Sequence, residues 1–434
     1  MKLRTILHGI SARAFLFISS YLSVPILLNE MGLIKYSEYL YVAGIVNLAF
    51  LFELGNSNNL VELGPKNFSV NSENRLINLY LKKAKVLALL AFVSALLFLA
   101  LETFLNLNPN GIQISADMRF SILIGVVGVG LSFAANVYSK YRIAGKDYKS
   151  IMNVIVLSNF IATLFLVSAA YLHTAIWFCI LAQFVLQPAL VTILLKNRYP
   201  NPNRKKINPL REIIDDKIHA PHTIFRFYAV FTPIYGNLIV LLFSRQGDSN
   251  LFAAASTIYR ITSIPLIFAS FAWLNLLWVE IGKLKAAGTE INFRREISKK
   301  FWFSILLALP FFGLTAMYGT QMISWWTTNK IEISHTLVLQ FSVLGLIQIM
   351  GVVPGAVMVV YRKTTIILLT HFTYLIVLFL SFRILKLADN PQRILITMIL
   401  LEFCVILLPN WFWILFRMTR IRPHPIKFFN ASDA

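Results

Sequence analysis

Long apolar runs alternate with short polar breaks along the whole chain. The run VLALLAFVSALLFLALETFL (Val86–Leu105) carries a single charge in twenty residues, and such runs recur at intervals. They are continuous, without the period-two alternation of a lipid-facing barrel strand, so they read as helices and not as a β-barrel. A spanning helix needs about 20 predominantly apolar residues. The pattern predicts twelve spans, at about 6–28, 37–57, 84–104, 119–139, 151–171, 174–195, 223–243, 251–278, 301–320, 335–360, 364–383 and 394–416. The segment 197–222 is the longest polar interruption. It begins with Pro and Asn and continues into a pattern that puts Leu210, Ile213, Ile214 and Ile218 on one face, as in a short helix lying on the membrane surface.

Composition supports this class. Of 434 residues, 57% are hydrophobic and 14% charged, against about 25% charged in soluble domains. The net charge of +21 would suggest nucleic acid in a soluble protein. Here it reads as the Lys and Arg that collect in cytoplasmic loops, and no nucleic-acid partner is expected. With the N-terminus inside, 30 of the 40 Lys and Arg fall in inside segments, seven in outside segments, and Arg13, Arg226 and Arg260 within spans. Both termini are therefore expected in the cytoplasm. The basic N-terminal stretch reads as a retained first span. Cys179 and Cys404 lie in apolar runs and are expected to be buried, unpaired thiols.

The chain divides into residues 1–196, a linker at 197–222, and residues 223–434, with six spans on either side of the linker. Tyr141-Arg142 and Tyr361-Arg362, 220 residues apart, close spans four and ten. Ser37 and Ser249, 212 apart, open spans two and eight. These matches favour an internal duplication. Six spans per repeat keep both halves in one orientation, with a pseudo-two-fold axis along the membrane normal.

Charges inside spans are the candidate chemistry. Arg260 sits deep in span eight, with Ser256, Thr257, Ser263 and Ser270 near its face; Arg226 shares a face with Pro233 and Asn237; Arg13 shares one with Ser20. A guanidinium in hydrocarbon costs roughly 2.5–3.5 kcal/mol, so such faces belong toward protein or a wet cavity. Arg13 and Arg226 lie near cytoplasmic ends, where snorkelling or local pairing explains them as well as a binding role does. Arg260 is too deep for easy snorkelling. Arginine is always charged and grips phosphate oxygens with two donors, so the three define a candidate cationic cavity for a phosphate-bearing headgroup. Glu402, within span twelve, and Glu53, near the end of span two, are candidates for ion coupling or for charge pairing. His371 reads as a hydrogen-bonded helix residue or a proton relay. Pro233, Pro265, Pro310 and Pro354 are expected to kink their spans, and Trp325, Trp326, Trp411 and Trp413 to anchor at the interface.

Three short motifs carry a family resemblance. The stretch Met31–Leu60 has Gly32, Tyr36 and the triplet Glu53-Leu54-Gly55, with Glu in place of the commoner Asp. Span eight has Tyr259-Arg260 with Pro265 a few residues on, and span four ends in Arg142, Gly145 and Lys146. The chain resembles the bacterial O-antigen and capsule flippases (Wzx type) of the group that also holds multidrug extruders and the peptidoglycan-precursor flippase. The resemblance implies an all-α polytopic fold with two six-helix bundles in a V-shaped, alternating-access arrangement. It implies a transporter and not an enzyme, in the bacterial cytoplasmic (inner) membrane. The cargo would be a polyprenyl-diphosphate-linked oligosaccharide moved to the outer leaflet for O-antigen, capsule or exopolysaccharide synthesis. A polysaccharide polymerase and chain-length proteins are possible partners. No cofactor or metal is expected beyond coupling to H+, Na+ or the membrane potential.

Two alternatives stand beside this. One is a multidrug or small-molecule extruder of the same fold, which would want acidic residues in its cavity for cationic drugs. The other is an integral-membrane polymerase or glycosyltransferase, which would want a large loop. The outside loops are roughly sixteen residues or shorter, and there is no Walker loop, HExxH or paired CxxC.

Overall fold

A computed structural model describes residues 3–53, 57, 70–105, 112–144, 148–196, 242–244, 247–265, 281, 290–361, 364–384 and 390–417. Among them every regular element is a helix, and seven helices are long and apolar enough to cross a membrane. Large apolar side chains cover their outward faces: Leu307 is 72% exposed, Leu89 63% and Leu164 52%. Apolar surface of that extent is stable only against lipid. The chain is a multi-pass membrane protein.

The helices follow the hydropathy with instructive departures. Span ten is a helix over His335–Val360 and span eleven over Thr364–Ile384. Spans three and nine extend well past their apolar cores, over Val70–Leu105 and Glu290–Trp326. At 36 residues the former is about 54 Å long, far more than the roughly 30 Å hydrocarbon slab. Spans one and two are joined in one run, Leu3–Leu48, and the expected loop at 29–36 is helical apart from a break at Gly32. Gly32 has φ 77° and ψ 166°, a region essentially reserved for glycine that costs other residues on the order of 1–3 kcal/mol. Pro25, Pro310 and Pro354 lie inside their helices. The linker at 197–222 and span seven, apart from 242–244, lie outside the described residues.

Two compact units are formed, one from Met1–Thr257 with Gln321–Ile333, the other from Ile258–Thr320 with Ser334–Ala434. In the first, span four (Ala116–Ala144) packs against spans three and six. In the second, Ala308, Phe312 and Ile349 form a buried knot between spans nine and ten.

The structure adds marks of duplication that short sequence matches did not reveal. Span six contains a π-helical turn at Leu181–Leu186 and span twelve one at Glu402–Leu407. Pro188 and Pro409 follow at the same distance, 221 residues apart. Proline cannot donate to the carbonyl four residues back, and a widened turn absorbs the misfit. In span six the carbonyl four residues before Pro188 is that of Phe184. It lies against Gly128 of span four, where an added Cβ would sit 2.2 Å from the Phe184 oxygen. Gly128 is therefore a glycine of close approach. Phe120-Ser121 and Phe341-Ser342 also stand 221 apart, and each serine donates to the carbonyl four residues before it, Asp117 at 2.7 Å and Val338 at 2.8 Å. Ser37 and Ser249, matched in the sequence, touch: Ser37 Oγ donates to the Ser249 carbonyl at 2.9 Å.

Two expectations need correction. Cys179 is buried, but Cys404 is exposed. The π turn that carries Cys404 rotates Glu402 inward and leaves Phe403 and Cys404 on the outer face. Trp325 is exposed as an interfacial anchor would be, whereas Trp413 is 6% exposed and packs edge-on against Tyr361.

Candidate functional site

Arg260 lies in the helix Ser249–Thr262, about 16 Å along it from Ser249 at 1.5 Å per residue. It is half-buried. Among the described residues its guanidinium forms no ion pair and no hydrogen bond. The polar residues near it are occupied locally. Ser256 donates to the Phe252 carbonyl at 2.8 Å and Ser263 to the carbonyl of Arg260 itself at 2.8 Å. Such back-bonds satisfy a hydroxyl in an apolar setting without a ligand. Thr257 is fully buried, and its hydroxyl has no partner among the described residues. Arg13 lies in the helix Leu3–Leu48. Arg226 and Ser270 lie outside the described residues.

Glu402 opens the π turn of span twelve and is buried, 9% exposed. Its Oε2 has no hydrogen-bond partner and its carboxylate no ion pair among the described residues. Two tyrosines from other helices lie within electrostatic reach, Tyr259 of span eight and Tyr374 of span eleven. Tyr374 is wholly buried. His371, one turn before Tyr374, bonds through Nδ1 with the Ile367 carbonyl at 2.7 Å. Arg260 and Glu402 belong to the same compact unit without pairing. Tyr259 is the residue next to Arg260, and successive helix positions turn by about 100°, so one faces the carboxylate and the other points elsewhere.

Glu53 is held quite differently. It ends a 3₁₀ turn, Ala49–Glu53, after span two. Its carboxyl accepts from Ser57 Oγ and from Asn136 Nδ2, the latter at 3.1 and 3.2 Å to its two oxygens. Lys140, one turn beyond Asn136, adds its charge nearby. The Asn136 bonds tie the end of span two to span four, and the Ser57 bond closes locally within that end. This is pairing geometry, with no carboxyl oxygen left idle for an ion.

Asn136 as the partner of Glu53, and Tyr259 and Tyr374 as neighbours of Glu402, are not legible in the sequence. Periodicity places residues on faces of one helix; it does not say which helices meet.

No protein-family model matches the chain, and no curated protein does. Solved structures do. A multidrug resistance MATE family transporter in an inward-facing conformation is 12% identical, with 96% of this chain and 95% of that one covered at a TM-score of 0.65. The lipid II flippase MurJ in an inward closed conformation is 12% identical, with 94% and 87% covered at 0.67. The chain has the fold of the MOP-superfamily transporters. That fold has twelve spans in two lobes, in agreement with the span count from hydropathy. A third match is a MOP-superfamily transporter from Pyrococcus furiosus in which reversed polarity of the binding pocket suggests a different function. It is 13% identical, with 96% and 94% covered at 0.58.

Proposed function

We propose that this protein carries a polyprenyl-diphosphate-linked oligosaccharide from the cytoplasmic to the outer leaflet of a bacterial cytoplasmic membrane, for O-antigen, capsule or exopolysaccharide assembly. The observation that supports this most is Arg260: a deep guanidinium without an anionic partner among the described residues, in a fold shared with a lipid II flippase. An isolated charge in a membrane is costly, and a diphosphate that visits during the cycle would repay that cost. Arg13 and Arg226 are assigned the same headgroup. A polysaccharide polymerase and chain-length proteins are the partners this role would call for. Outward motion of the anion is favoured by a negative cytoplasm, by about 2.3 kcal/mol per charge per 100 mV. In this reading Glu402 is the coupling residue. A buried carboxylate whose Oε2 has no donor among the described residues needs a proton or a small cation to neutralise it, and either could arrive and leave with each cycle.

Glu402 also favours a second reading, a small-molecule extruder, because an acidic group buried at mid-depth suits a cationic cargo. Proteoliposomes separate the two. The first reading expects movement of a fluorescent polyprenyl-diphosphate sugar that Arg260→Ala reduces at least tenfold and Arg260→Lys partly restores. Efflux of an organic cation that depends on Glu402 and not on Arg260 would establish the second instead.

A further inference from the structure

The end of span one that the charge pattern assigns to the outside, Asn29-Glu30, is gripped by two helix ends built in the same unusual way. The helix of span five ends at Tyr171, and the next turn closes by His173 N–H to Ala170 O at 2.9 Å and Thr174 N–H to Ala169 O at 3.2 Å. The helix of span nine ends at Trp326, and its turn closes by Thr328 N–H to Trp325 O at 3.2 Å and Asn329 N–H to Ser324 O at 2.7 Å. Both are Schellman caps, whose left-handed residue is normally glycine. Here those positions hold His173 at φ 49° and Thr328 at φ 51°. A β-branched threonine is poorly suited to that region. Both side chains reach span one. His173 Nδ1 bonds with the Glu30 carbonyl at 3.1 Å, and Thr328 Oγ1 lies 2.9 Å from Asn29 Oδ1 and 2.7 Å from the Thr327 carbonyl, two acceptors that share its single proton.

The second turn adds further ties. Lys330 Nζ donates to the Asn29 carbonyl at 3.2 Å, and Trp326 stacks on Tyr21 with ring centres 5.2 Å apart. The stretch Gln321–Ile333 belongs to the first compact unit, while the helical residues on either side of it, up to Thr320 and from Ser334, belong to the second. The ties are few, polar and exposed, apart from one ring stack. Strain at a fixed backbone position persists where surrounding contacts over-determine it, and it gathers at switch regions.

We infer that the turn Thr327–Lys330 is a releasable latch on the outer end of span one, with Thr328 kept in place of glycine because its hydroxyl makes the clasp. The latch rests on the transport reading to the extent that a cycle must open this end; its test needs no cargo. The variants Ile34→Cys and Met322→Cys, both exposed and both in the first unit, in a background with Cys179→Ala and Cys404→Ser, carry spin labels in lipid nanodiscs, and pulsed electron resonance gives their distance distribution. Thr328→Gly keeps the cap, relieves the strain and removes the hydroxyl. It and Asn29→Ala are each expected to raise the long-distance population relative to the short one, roughly two- to tenfold per lost hydrogen bond, with no loss of thermal stability for Thr328→Gly. Thr328→Ser keeps the hydroxyl and is expected to match the wild type. Distributions unchanged in both Thr328→Gly and Asn29→Ala overturn the latch, as does a shift in Thr328→Ser as large as that in Thr328→Gly. An unchanged distribution in protein that still moves the polyprenyl-diphosphate probe removes the latch alone. A shifted distribution in protein that moves no such probe removes the flippase reading alone.

Discussion

Consider a double-mutant cycle on Glu53 and Asn136. Glu53→Ala removes the acceptor for two donors, Ser57 Oγ and Asn136 Nδ2, and leaves an amide at a helix contact without its partner. Hydrogen bonds to a charged group contribute about 1.5–3 kcal/mol each, and an orphaned buried donor adds its own desolvation cost, so the loss should be about 3 kcal/mol or more. Asn136→Ala leaves the Ser57 bond intact and should cost less, about 2 kcal/mol. If the two side chains act on each other as the geometry says, the double variant loses less than the sum by at least about 1 kcal/mol, beyond the roughly 0.5 kcal/mol scatter of independent sites. Reversible unfolding in mixed micelles of mild detergent and dodecyl sulfate supplies the energies. Additive losses would refute the pairing and return Glu53 to the list of groups free to bind an ion.

Gly128→Ala should destabilise the first compact unit by about 1–3 kcal/mol, because the new methyl meets the backbone carbonyl of Phe184 and not a yielding side chain; the same unfolding assay reads it, and a neutral result would refute the close approach. Glu402→Gln should leave insertion and folding intact while removing the response of transport to an imposed proton or sodium gradient; a variant that still responds would take Glu402 out of coupling. Pro409→Ala should stabilise span twelve as a regular helix and turn Glu402 away from Tyr259 and Tyr374, so it should mimic Glu402→Gln in the gradient assay; full gradient response would separate the π turn from the role of the carboxylate.

How much was legible in the sequence depended on whether hydropathy or contact decides the feature. Span ten needed only its apolar run between His335 and Arg362, and its helix has the bounds the run suggests. The helix of span three continues back through Asn71, Glu73, Lys82 and Lys83 because helix propensity does not end where apolarity does. The segment 29–36 looked like a loop because Asn29, Glu30 and Lys35 are polar, yet a single glycine at Gly32 is break enough. Arg260 and Glu402 were legible as charges out of place. The surroundings of Glu53 and Glu402 were not: Asn136 is 83 residues from Glu53, and Tyr374 and Tyr259 reach Glu402 from different helices. The latch was least visible of all, since TTNK reads as an ordinary polar turn until the backbone shows Thr328 in a glycine conformation.

The central claim is that a deep guanidinium in span eight receives an anionic lipid headgroup. Its most direct test is the rate at which purified protein in liposomes moves a fluorescent polyprenyl-diphosphate sugar between leaflets, read by quenching of outer-leaflet probe. Protein-dependent movement is expected to fall at least tenfold in Arg260→Ala and to recover in part in Arg260→Lys. Wild-type rates in Arg260→Ala, in protein that inserts and folds normally, would contradict the claim.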